Sequence, residues 1–116
     1  MVALVAALAL AAPPKATLTT SAGTVPLTVS SWCWNAKCGA PFAASKRTAL
    51  AARGSLVSVQ LGFVPRHARV AIAGKQVKVS SSGRAISWPA ARGGGLTVHV
   101  TSPRGWVTYV GRLKVR

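Results

Sequence analysis

Apolar and polar residues alternate along most of this chain. Val57, Val59, Leu61 and Phe63 are separated by Ser58, Gln60 and Gly62, and Leu96, Val98 and Val100 by Thr97 and His99. A period of two sends successive side chains to opposite faces of an extended chain, so each run predicts a strand with one buried face. Val25, Leu27 and Val29 repeat the pattern, as do Val70 with Ile72, Val77 with Val79, and Ile86 with Trp88. Near the end, Val107, Tyr109, Leu113 and Val115 form an apolar face, with Trp106, Thr108, Arg112 and Lys114 on the other. Turn formers divide the runs, among them Arg53-Gly54, Ala73-Gly74-Lys75, Ser81-Ser82-Gly83 and Pro103-Arg104-Gly105. About seven short antiparallel strands, with turns roughly every 8–12 residues, predict an all-β sandwich; a small barrel is the alternative. Residues 45–53 read as an extended strand entering the Arg53-Gly54 turn. A short helix capped by Ser45 is the other reading of that stretch.

The two ends of the pattern set the domain limits. Val2 to Ala12 is an unbroken apolar run, shorter than the ~20 residues a membrane-spanning helix needs. Ala9-Leu10-Ala11 matches the small-x-small pattern at which signal peptides are cleaved. Residues 1–12 therefore read as a signal-peptide-like segment, with a buried first strand as the alternative. Residues 13–22, rich in Pro, Thr and Ser, read as a flexible lead-in, and 23–116 as the sandwich. The expected location is secreted or in the cell envelope, where disulfides persist.

Charge narrows the chemistry. The chain has 15 Lys plus Arg and no Asp or Glu, a formal net charge of +15. Paired-carboxylate glycosidase chemistry, a Ser-His-Asp triad, and Ca²⁺ or Mg²⁺ sites built on carboxylates have no residues to draw on. No enzyme activity, metal or cofactor is expected. The cations have no acidic side chain to pair with, so they face water, counterions or an anionic partner. Cell-wall polymer, anionic lipid and nucleic acid all qualify, and charge alone does not choose among them.

Cys33 and Cys38 are the two cysteines. An even count in an exported domain suggests one bridge, closing a tight loop after a strand. Free thiols, a redox pair and metal ligation are the alternatives, although the spacing is not Cys-x-x-Cys and only His67 and His99 are on hand to complete a zinc site. If Val25, Leu27, Val29 and Cys33 face the core, parity sends Trp32 and Trp34 outward. Trp106 lies out of phase with Val107 in the same way. Three exposed indoles near Lys37 form a candidate stacking surface for sugars or bases. The competing reading is that a bulge switches the phase, or that the indoles cover the disulfide and the sandwich edge. Arg112, Lys114 and Arg116 alternate along one strand face and form a cationic stripe, which also serves to protect an edge strand. His67 and His99 read as outward polar residues.

The segment Ser31-Trp32-Cys33-Trp34, with Cys38 close behind, then Arg53-Gly54-Ser55 and Val57-x-Val59-x-Leu61-Gly62-Phe63-x-Pro65, resembles a group of short secreted proteins of high-GC Gram-positive bacteria. The resemblance covers roughly residues 23–116. It implies a signal peptide and an immunoglobulin-like sandwich, and it carries no activity. Gly39-Ala40 stands where members of that group often place an acidic residue.

The expected function is a secreted, strongly cationic, non-catalytic binding module for an anionic cell-envelope or extracellular polymer. The candidate ligand-binding residues are Trp32, Trp34, Trp106, Lys37, Arg112 and Lys114. The alternative is a structural or protein-interaction domain whose charge serves solubility or surface tethering.

Overall fold

The alternating runs become twelve strands in two facing sheets. A computed structural model describes residues 13–39 and 48–116. The signal-like segment 1–12 and residues 45–47 of the stretch 45–53 lie outside the described residues. In chain order the strands are β1 Thr17–Thr20, β2 Gly23–Pro26, β3 Thr28–Trp34, β4 Lys37–Gly39, β5 Thr48–Ala51 and β6 Leu56–Gln60. They continue as β7 His67–Ile72, β8 Lys75–Val77, β9 Ser80–Ser82, β10 Ala85–Pro89, β11 Gly94–Ser102 and β12 Gly105–Val115. No helix occurs among the described residues. The smaller sheet has the order β2-β1-β6-β10-β9, and the larger β4-β3-β12-β11-β7-β8. β12 carries β3 along its first half and β5 along its second; β5 is parallel to it, and every other pairing is antiparallel.

The β-sandwich expectation holds, with more strands than the pattern suggested: the chain changes sheets inside two apolar runs, and β1, β4 and β5 add to the count. Val25 lies in β2 of the smaller sheet and Val29 in β3 of the larger, and the crossing is at buried Leu27. The Leu27 amide donates to the Ala16 carbonyl at 3.0 Å, which anchors the crossing. Val77 ends β8, and the chain crosses back before Ser80. The described part of the ambiguous stretch 45–53 is extended: Thr48–Ala51 is strand β5.

Residues 13–22, expected as a flexible lead-in, are a correction. Thr17–Thr20 forms β1, an interior strand between β2 and β6, and Leu18 is completely buried. Its reading as a loop followed the abundance of Thr and Ser, but Ala16, Leu18 and Thr20 all point into the core. Thr20 can do so because its Oγ1 donates to the Leu50 carbonyl at 2.5 Å, which removes the cost of a buried hydroxyl. That bond ties the smaller sheet to β5 of the larger.

Val57, Val59, Ile86 and Trp88 of the smaller sheet face Val70, Ile72, Val98, Val100 and Tyr109 of the larger, all buried. Each such side chain withdrawn from water contributes about 1.5–3 kcal/mol before entropy is counted. A second tie crosses the gap at Tyr109, whose hydroxyl donates to the Pro14 carbonyl at 2.6 Å. Burial raises the Tyr109 phenol above its ordinary value.

Candidate ligand-binding face

The Ser31–Cys38 segment is a hairpin. Asn35 and Ala36 make a two-residue turn with φ of 51° and 66°, the left-handed pair that joins strands of native twist. Cys33 and Cys38 stand directly opposite each other across β3 and β4 and are bonded. The disulfide expectation is met, and no free thiol is present among the described residues.

Of the two readings of Trp32 and Trp34, outward placement is overturned and the phase-switching bulge is the one observed. On β12, Thr108 pairs with Ser31 and Tyr109 with Val29, so one step on β12 spans two on β3. Ser30 is the extra residue of a β-bulge, and a bulge reverses the face on which every later side chain falls. Trp32 therefore pairs with core-facing Val107, and both Trp32 and Trp34 are buried. Cys33 moves to the outer face instead. The Trp32 indole occupies the space above Gly39, where an added Cβ would sit 2.2 Å from the ring. Trp34 meets Phe63 edge to face at 4.9 Å and closes that end of the core.

Trp106 does reach the outer face, half-buried, with Cys33 on one side and Thr101 on the other. Lys37 pairs with Trp34 and so shares that residue's side of the hairpin rather than Trp106's. Arg112 and Lys114 are exposed on the Trp106 face, six and eight positions further along β12. At ~3.3 Å per residue they are about 20–26 Å from Trp106. The stripe exists, but the structure does not gather the six candidate residues into one site.

A different cluster forms around Trp106. His67, Thr101, Trp106 and Cys33 are consecutive neighbours across β7, β11, β12 and β3. In the next row stand Arg69, His99, Thr108 and Ser31. The His99 ring lies 5.5 Å from the Trp106 ring, and its Nδ1 is 2.9 Å from the Thr108 hydroxyl. His67, Arg69, His99 and Thr101 line a groove of about 210 Å³. The Thr101 hydroxyl is buried at its edge without a hydrogen-bond partner. His67 and His99 are each legible as outward polar residues; their grouping with Arg69 depends on how β7, β11 and β12 pair.

The two outer faces differ in charge. The strands of the smaller sheet contain no Lys or Arg. Thr24, Thr19, Ser58, Ser87 and Ser80 stand side by side across all five of them, a neutral row of hydroxyls. Among the described residues the cations that strands carry all belong to the larger sheet; Arg69, Arg112 and Lys114 lie on its outer face, whereas Lys37 and Lys75 pair with core-facing Trp34 and Ile72 and lie at its edges. Every described Lys and Arg is exposed. Among the described residues no three His, Cys, Asp or Glu side chains stand close enough to share a metal ion.

No protein-family model, curated protein or solved structure matches the chain.

Proposed function

We propose that this domain is a non-catalytic, one-sided cationic module that adheres to an anionic polymer of the cell envelope or its surroundings through the outer face of its larger sheet. The observation that carries the reading is the uneven charge: +15 with no acidic side chain, and, among the described residues, outward strand cations (Arg69, Arg112 and Lys114) on the larger sheet alone. A neutral hydroxyl face and a cationic face on opposite sides of a sandwich give a polyanion one side to lie against. The disulfide supports a site outside the cytoplasm, as does the resemblance of the Ser31–Cys38 segment to short secreted proteins.

The test is retention on immobilised heparin. Raising salt from about 0.1 to 1 M shortens the screening length from ~10 to ~3 Å, so a protein held by charge elutes within that range. Replacing Arg69, Arg112 and Lys114 by Gln is expected to advance elution. Replacing Arg53, Arg84 and Arg92, which stand in loops, by Gln is expected to advance it less. Equal shifts would remove the one-sided reading. Retention no greater than that of a neutral sandwich, or a stoichiometric protein partner held through high salt, would count against polymer binding altogether.

A further inference from the structure

We propose that the groove beside Trp106 is a subsite for one anionic sugar ring of the polymer: Trp106 stacks on the ring, and Arg69 holds its carboxylate or sulfate. This rests on the reading of the domain as a polyanion binder and adds a specificity that charge alone does not supply.

Four features converge on this patch. Trp106 is the one tryptophan of four that is not buried, and a partly exposed indole offers an apolar, electron-rich surface to the C–H bonds of a pyranose. His99 is tilted 32° to it at 5.5 Å and is held by Thr108, which fixes the wall of the groove. Arg69 stands directly across from His99 on β7, two strands from Trp106. Adjacent strands are ~4.8 Å apart and the two residues also lie two positions (~6.6 Å) apart along the strands, so their backbone positions bracket a diagonal of about 12 Å, room for one sugar with its anionic substituent. No acidic side chain exists in the chain to neutralise Arg69, and its planar fork suits a two-oxygen anion. Finally, the buried Thr101 hydroxyl lies between them without a partner. A rotation of the Thr101 side chain would present it to a ligand hydroxyl in the groove.

A single-stranded nucleic acid would use the same indole, but repeated base stacking draws on several aromatic rings along a basic track. Here the other three indoles are in the core. The sugar ring is therefore the occupant the face favours.

The experiment compares two polyanions: a heparin oligosaccharide, which has rings, and linear polyphosphate, which has none. Trp106→Ala is expected to weaken heparin binding about fivefold, Trp106→Tyr to restore most of it, and polyphosphate binding to change less than about twofold in either. Arg69→Gln is expected to weaken heparin more than polyphosphate. In the unaltered protein, heparin should shield tryptophan fluorescence from acrylamide and polyphosphate should not, since Trp106 is the indole the quencher reaches. That measurement needs no variant to fold. If the protein binds both polymers and Trp106→Ala affects them equally or not at all, the subsite is wrong and the polyanion reading stands. If it binds neither, both fail. Preferential binding of oligo(dT), lost in Trp106→Ala, would overturn the sugar in favour of a base.

Discussion

Gly105 opens β12 beside Trp106, and its replacement tests the register on which the face is built. Gly105 pairs with Trp34 and has φ of +144°, a conformation that side chains with a Cβ rarely adopt. A Cβ built there would lie 1.9 Å from the Cys33 carbonyl oxygen, more than an ångström inside contact distance. That oxygen has little freedom, because Cys33 is paired with β12 on one side and bonded to Cys38 on the other. Backbone strain contributes about 1–3 kcal/mol and the forced displacement about 1–3 kcal/mol. Gly105→Ala is thus expected to cost roughly 2–6 kcal/mol, a large share of the ~5–15 kcal/mol that holds a typical domain. Two controls separate the causes. Gly74 has φ of +78° with nothing within 4 Å, so Gly74→Ala carries strain alone, about 1 kcal/mol. Gly95 has open space and no left-handed φ, so Gly95→Ala is expected to be neutral or to stabilise by up to ~1 kcal/mol. Urea unfolding followed by circular dichroism gives the three values. Thermal melts should show Gly105→Ala at least ~10 °C below the unaltered protein. A Gly105→Ala protein within about 1 kcal/mol of Gly95→Ala would refute the Cys33–Trp106 register and everything placed by it.

Other outcomes follow from the same contacts. Tyr109→Phe removes the bond to Pro14 and leaves that carbonyl without its side-chain donor, so it should lower stability by about 1–2 kcal/mol in urea titration. Its phenol is raised above 10.0 by burial, so above about pH 10 the unfolded chain releases this proton while the folded one keeps it. The contribution is whole below that pH and declines as pH rises further, so the gap between the unaltered protein and Tyr109→Phe should narrow on alkaline titration. A gap constant from pH 7 to 12 would contradict the burial. The paired change Cys33→Ser with Cys38→Ser should cost about 2 kcal/mol by loop entropy, less if the Asn35-Ala36 turn already holds the hairpin. Addition of reductant to the unaltered protein should reproduce that loss, and no effect from either would mean the bridge constrains nothing.

The strand content, most turns, the disulfide and the stripe at Arg112 and Lys114 were legible in the chain, because each depends on neighbours a few residues apart. Alternation at Val57–Leu61 or Leu96–Val100 states its period without reference to any partner. The bulge at Ser30 left no such mark. One unpaired residue in an even alternation is visible only against the strand it faces, here β12, and it alone sent Trp32 and Trp34 inward and Cys33 outward. β1 was obscured in the same way: Thr17–Thr20 has the composition of a loop, and Leu18 counts as core only once β2 and β6 flank it. His67, Arg69, His99 and Trp106 span four tens of the chain and meet because β7, β11 and β12 pair in one register. Local residue types set the period and the total charge; long-range pairing decided which side of the sheet each indole and cation occupies, since a shift of one residue in a ladder exchanges the two faces.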